Sequence, residues 1–349
     1  RFYTDLVDEL IKNDIEPYMT LYHWDLPQAL QDRGGWQNEE SIDWFTEYCS
    51  VMFERFGGRV KYWTTLNEPW CVAFLGNFTG EHAPGYHDIS TAIRVSYNIM
   101  RAHGAAVRLF RRLNMEGNIG ISLNISKYIP ASDKREDMGA AARMDGYNNR
   151  WFLDAVFWGA FPSDMVEYYR SIGAILPDLS DQASMSEPID FLGINYYCPQ
   201  MYRYDEKEWP FKAEAVRMNL PHTDCSWAIQ PEGLRDVLVR IWKDYKPKRL
   251  YMSENGASYN DVVDLDGKVN DSARIDYLKR HVIAVHQAME LGANISGYFV
   301  WSLYDNFEWA YGRYSRFGIV FHDFNTLERI PKQSAYWYKN VIENNGVEV

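Results

Sequence analysis

The chain has 349 residues, 46% of them hydrophobic, enough for one large domain or two small ones with a sizeable core. A formal net charge of −12 disfavours nucleic acid and anionic membrane as partners, and no apolar run approaches the ~20 residues of a membrane span. Aromatic residues reach 16%, with 13 Trp and 25 Tyr. Such rings stack on the apolar C–H faces of sugars, so carbohydrate is a candidate ligand, although large cores also consume aromatics.

Phe2, Leu6, Val7, Leu10 and Ile11 recur at helical spacing and predict an opening helix. IEPYMTLYHW, from Ile15 to Trp24, is strand-like, and a helix is expected near Ser41–Phe56. RVKYWTTLNEP predicts a second strand, Thr91–Asn114 a helix, and GNIGISLNIS a third strand. Helices are expected around Gly139–Phe157 and Pro162–Ile172, followed by a short apolar strand in PIDFLGINYY. Pro231–Lys243 reads as helix, RLYMSENG as strand, Ala273–Leu291 as helix and ISGYFVWSLYDN as strand, and the last helix spans roughly Ser334–Asn344.

Helices alternating with apolar, doubly buried strands imply a parallel sheet covered by helices. Six strands are expected, centred at about 17, 62, 119, 190, 249 and 296. Their separation, roughly 40–70 residues, places extra length in loops after strands, where a (β/α)8 barrel builds its active site. A doubly wound open sheet is the rival, but no G-x-G-x-x-G or phosphate loop supports it. The expected fold class is therefore α/β: a single domain over 1–349, the six-strand C-terminal portion of a (β/α)8 TIM barrel, with two barrel strands upstream of Arg1. No repeat, linker or low-complexity tract interrupts it.

In a barrel, polar residues at the C-terminal ends of strands read as catalytic. Such clusters are Tyr22-His23-Trp24-Asp25, Asn67-Glu68, Asn195-Tyr196-Tyr197, Ser253-Glu254-Asn255, and Trp301 followed by Asp305, Asn306, Glu308 and Trp309. Asn124 is less telling. Glu68 sits between an amide and a proline directly after a β-branched run, a costly place for a carboxylate unless it faces a cavity. Glu68 and Glu254 would lie on barrel strands four and seven, facing each other across the mouth. Two carboxylates flanking one cavity suit glycosidic cleavage: one protonates the leaving oxygen while the other attacks the anomeric carbon or activates water. Their like charges raise each other's proton affinity, which keeps the acid protonated near neutral pH.

Taken singly, each residue has a plainer explanation. A strand-end Glu is often a solvated loop residue, His23 a satisfied core histidine, Trp301 and Trp309 core, and Tyr197 packing. Asp25 and Asp305 are expected to make structural hydrogen bonds. His103, His281 and His286 lie in helical stretches and are expected to be structural or exposed. The sequon at Asn77 is a three-residue pattern that arises readily by chance. Cys49, Cys71, Cys198 and Cys225 include no C-x-x-C pair and read as reduced thiols of a cytoplasmic protein.

TTLNEPW resembles the T-F/L-N-E-P signature of family 1 glycoside hydrolases, and YMSENGA their I/V-T-E-N-G signature, with Met252 and Ser253 departing mildly. YHWDLPQAL, DFLGINYY and GYFVWSLYDNFEWAYGRYSRFGIV resemble further family segments in the same order, from near Arg1 to Asn345. The resemblance implies a retaining β-glycosidase acting on terminal β-D-glucosyl residues of small glycosides and oligosaccharides, with galactosyl and fucosyl residues left open. It makes Glu68 the acid/base and Glu254 the nucleophile, with carboxyls roughly 5–5.5 Å apart. Asn67 would bind the sugar 2-hydroxyl, His23 the 3-hydroxyl region, and Tyr197 would orient Glu254. Trp301 would form the stacking floor, with Glu308 and Trp309 gripping the far hydroxyls.

Two subclasses are disfavoured. Thioglucosidases of the family typically replace the acid Glu by Gln, whereas Glu68 is present. Phospho-glycosidases carry a Ser and a Lys in the last loop, whereas Glu308 would repel phosphate. The family's sugar-gripping Gln and nucleophile-pairing Arg belong upstream of Arg1. A separate N-terminal segment could therefore complete the barrel, the protein could continue upstream of Arg1, or the chain alone would be a weak enzyme. No metal or cofactor is expected. A homo-oligomer is left open, and the alternative function is a sugar-binding barrel without turnover.

Overall fold

The structure, a computed structural model, describes residues 1–347. Its strands are β1 (Tyr18–Tyr22), β2 (Tyr62–Asn67), β3 (Asn118–Asn124), β4 (Tyr128–Pro130), β5 (Phe191–Asn195), β6 (Gln200–Tyr204), β7 (Ala213–Val216), β8 (Leu250–Asn255), β9 (Ile295–Val300), β10 (Val320–His322) and β11 (Arg329–Pro331). Six of them form one sheet in the order β1-β2-β3-β5-β8-β9, so strands that follow one another in that chain series are neighbours, as a (β/α) barrel requires. All six are the strands expected from the sequence. The other five lie in small sheets, β4-β6-β7 and β10-β11, and were not expected. They are three to five residues long, too short to show an alternating pattern.

The chain divides into two compact units. The first comprises 1–124, 146–193 and 247–249. Here β1 pairs in parallel with β2, Tyr18 opposite Tyr62 and Tyr22 opposite Leu66. β2 pairs in parallel with β3 from Tyr62↔Asn118 to Asn67↔Ser122, with a register shift between Thr64 and Asn67. Helix Ile89–Arg112 starts where Asp88 accepts from the Thr91 amide at 2.8 Å, an N-cap that satisfies an otherwise orphaned donor. Its Phe110 meets Phe53 edge-on at 5.4 Å, and Phe53 meets Trp63 of β2 at 5.0 Å, so β2 is backed by interlocked rings.

The second unit comprises 125–145, 194–246 and 250–349. β8 and β9 run parallel, Leu250 opposite Ile295 and Asn255 opposite Val300. Helix Ser272–Glu290 supplies Tyr277 and Leu278 to a core cluster with Ile229, Ala257 and Ile319.

Three expectations need correction. The strands are not all buried on both faces: Thr20 of β1 and Ser296 and Phe299 of β9 are exposed, because these two strands end the sheet order and each has one neighbour. The helical stretch around Gly139–Phe157 is interrupted. An α-helix Arg135–Asp145 gives way to a π-turn Gly146–Arg150 before helix Trp151–Trp158. The wide turn aims Asn148 at the end of β3, where its side chain donates to Asn124 O at 3.1 Å and accepts from Asn124 Nδ2 at 3.0 Å. Finally, β2 ends at Asn67, one residue short of Glu68, which takes a left-handed backbone with φ 46°.

Candidate active site

In the first unit, the site begins at the ends of β1 and β2. The Glu68 amide still donates to Ser122 O at 2.9 Å, so the residue stays anchored to β3 while its positive φ turns the chain out of the strand. Only 6% of Glu68 is exposed. The Cys71 amide donates to Glu68 O at 2.9 Å, and the Cys71 thiol donates to Glu68 Oε2 at 3.1 Å. Asn67 is buried beside it; its Nδ2 donates to His23 Nε2 at 3.2 Å, and its carbonyl accepts from the Trp24 indole at 2.9 Å. Accepting at Nε2 requires a neutral imidazole. Burial pushes the His23 pKa down to about 4, with Asp25 opposing weakly, so the ring stays neutral over the physiological range. Thr65, in the middle of β2, bonds the buried ring of His103 at 2.7 Å.

In the second unit, Glu254 lies within β8 and is 8% exposed. Tyr197, two residues past β5, donates its hydroxyl to Glu254 Oε2 at 2.6 Å. The Tyr196 amide donates to Glu254 O at 3.1 Å, so the backbone pairing continues past the end of β5 and brings Tyr197 alongside. Asn255 fixes the same corner: its Nδ2 donates to Tyr196 O at 2.6 Å, and its Oδ1 accepts from the Tyr298 hydroxyl at 2.5 Å. The Tyr277 hydroxyl donates to Tyr197 O at 3.0 Å.

Trp301 follows β9 directly; its amide donates to Asn255 O at 2.9 Å and its indole to Glu308 Oε2 at 3.3 Å. Gly256 makes this approach possible, since a Cβ there would lie 1.8 Å from Trp301 O. Trp309 stands at φ 43° and opens the short 3-10 turn Trp309–Tyr311.

Beneath this loop runs a chain of alternating charges. Asp271 accepts from Arg274, Arg274 donates to Asp261, Lys332 bridges Asp261 at 2.5 Å and Asp305 at 2.8 Å, and Asp305 accepts from Arg316 at 2.7 Å. Three cations meet three anions, and all but Arg316 are almost fully buried. Each burial therefore has a partner charge, without which it would cost several kcal/mol.

The expected site residues thus pair within each unit: His23 with Asn67, Tyr197 with Glu254, and Trp301 with Glu308. Tyr197 is more than packing, and His23 is half-buried and bonded to a site residue. Asp305 is structural, as expected; Asp25 is exposed. His103 and His281 are buried and His286 is exposed, in line with expectation. Asn77 is buried and bonded to Val72 O, which leaves its sequon inaccessible. None of the four cysteines forms a disulfide among the described residues. Sequence reasoning gave no role to Cys71 beside Glu68 or to the charge chain apart from Asp305, and it named Trp24 only as part of a strand-end cluster. Cys71 alone carried a usable signal, since it stands three positions after Glu68 with a proline between.

The family model for glycosyl hydrolase family 1 matches residues 1–347. Beta-glucosidase A of Thermotoga maritima is 47% identical over 99% of this chain and 78% of that protein. A 6-phospho-beta-galactosidase of Clostridium acetobutylicum is 38% identical over 98% of this chain and 78% of its own length. The structure of the Thermotoga maritima beta-glucosidase in complex with deoxynojirimycin superimposes with a TM-score of 0.96 at 46% identity, covering 99% of this chain and 78% of that one. The fold is that family's (β/α)8 barrel, and the matched residues include Glu68 and Glu254. By sequence and by structure the chain belongs to glycosyl hydrolase family 1.

Proposed function

We propose that the chain is a retaining β-glucosidase acting on small, unphosphorylated β-linked glucosides, with Glu254 as nucleophile and Glu68 as acid/base. The observation that carries this reading is the 2.6 Å hydrogen bond from Tyr197 to Glu254. A short O–H···O bond to a carboxylate favours the ionised form, which is the form that attacks carbon. Glu254 displaces the aglycone and forms a glycosyl–enzyme ester while Glu68 protonates the departing oxygen. Glu68 then removes a proton from the water that hydrolyses the ester, and two inversions leave the anomeric configuration unchanged. Asn67 and His23 bind sugar hydroxyls, Trp301 stacks on the ring, and Glu308 and Trp309 hold its far end.

The acidic Glu308, bonded to Trp301, favours neutral hydroxyls over a phosphate in that place. Both relatives named above bear glycosidase names, which weighs against a barrel that binds sugar without turning it over.

Aglycone release from an aryl β-glucoside, with the first-formed anomer followed by NMR, tests the reading. Glu254→Gln is expected to lose on the order of 10⁴-fold or more in kcat. The β anomer should appear first from the unaltered protein. Equal rates for the two proteins, or α-glucose as first product, overturn it.

A further inference from the structure

We infer that Cys71 is a positioning residue for Glu68, whose thiol stabilises the ionised carboxylate and so sets the pH at which Glu68 can act as an acid. The inference rests on the acid/base reading of Glu68. Its basis is a double attachment between two buried residues: the Cys71 amide donates to Glu68 O at 2.9 Å, and the Cys71 thiol donates to Glu68 Oε2 at 3.1 Å. Glu68 stands at φ 46°, and Pro69 restricts the next torsion, so the chain turns back within three residues. Cys71 then starts the π-turn Cys71–Thr79, which fixes its direction. The thiol is thereby held on the carboxylate by backbone geometry rather than by a chance rotamer.

A thiol is a weak donor, but in a buried site a weak donor still discriminates between two charge states. It bonds the anion more strongly than the neutral acid, so it lowers the carboxyl's proton affinity. A group that serves first as acid and then as base needs an intermediate affinity. A strong donor in this place would hold the proton off too firmly, and loss of the thiol would keep the carboxyl protonated when the base step needs it ionised.

The test is the pH profile of kcat/KM for an aryl β-glucoside with a poor leaving group, whose basic limb reports the acid in the free enzyme. Cys71→Ala and Cys71→Val remove the donor and are expected to move the basic limb upward by about 0.5 pH unit. Cys71→Ser keeps a donor, and a stronger one, so its limb should stay in place or move down. Unchanged profiles in Cys71→Ala and Cys71→Val overturn the inference. So does a common shift in all three variants, since that reports packing rather than donation. Glu68→Gln separates the two levels: if it still cleaves the poor leaving group at the unaltered rate, the acid/base reading itself fails. If it does not, while the Cys71 profiles coincide with that of the unaltered protein, only the role of Cys71 fails.

Discussion

Glu68 accepts from a thiol at 3.1 Å in the first unit, whereas Glu254 accepts from a phenol at 2.6 Å in the second. In the proposed mechanism the weaker donor suits a carboxyl that must gain and lose a proton in one cycle, and the stronger one suits a carboxylate that must stay ionised to attack. The surroundings differ in the same sense. In the first unit the bonded pairs described at β1 and β2 are neutral: Asn67 with half-buried His23, and Thr65 with buried His103. The loop after β9, with Trp301 and Glu308, instead rests on a buried chain of six charges from Asp271 to Arg316. Neutral supports are vulnerable to protonation, ionic ones to the loss of a partner.

Removing Lys332 tests the ionic side hardest. It has no exposed surface and holds two carboxylates, so Lys332→Met leaves Asp261 and Asp305 short of a counter-charge. A loss of about 3–5 kcal/mol in urea unfolding is expected, with Lys332→Arg recovering part of it. A loss below 1 kcal/mol would mean that the chain of charges is dispensable.

Tyr197→Phe probes the strong donor. Loss of a hydrogen bond to a charged group is worth about 1.5–3 kcal/mol, so kcat/KM should fall roughly 10- to 100-fold, with the acid limb of its pH profile moving up. If Tyr197→Phe changed the profile no more than Cys71→Ala does, the contrast between the two carboxylates would vanish.

Mild acid gives the smallest effect per residue. Burial lowers the pKa values of His23 and His281 to about 4 and of His103 to about 3, from an ordinary 6.5. Below about 6.5 the unfolded chain binds protons that the folded one refuses until about 4, so stability falls as pH drops through that window. Each histidine should contribute about 1 kcal/mol between pH 7 and 5.5. Two of the three lie in the first unit. Amide exchange there should therefore accelerate more at pH 5.5 than in the second unit, and His103→Gln should reduce the difference. Equal acceleration in both units would remove the neutral-versus-ionic distinction.

Much of the site was legible before folding because its signals are local. A strand declares itself by an apolar run, and a candidate catalytic carboxylate by its place at the end of one, so Glu68 and Glu254 stood out. Boundaries were less secure where glycine or a π-turn altered the backbone, as at Gly146. Beyond Asp305 the charge chain was not legible, since Asp261 and Lys332 are separated by 71 positions and charged residues are ordinarily on the surface.

Sequence by itself determined the family, the alternation of six strands with helices, and which residues stand at the strand ends, because these depend on short motifs and on periodicities of two and 3.6 residues. Only the tertiary structure decided what those residues touch. Tyr197 reaches Glu254 across 57 positions, and Asn67 reaches His23 across 44, because strand pairing sets their distance. The Cys71 thiol meets Glu68 because a left-handed φ turns three residues back on themselves, a torsion that no composition or pattern records.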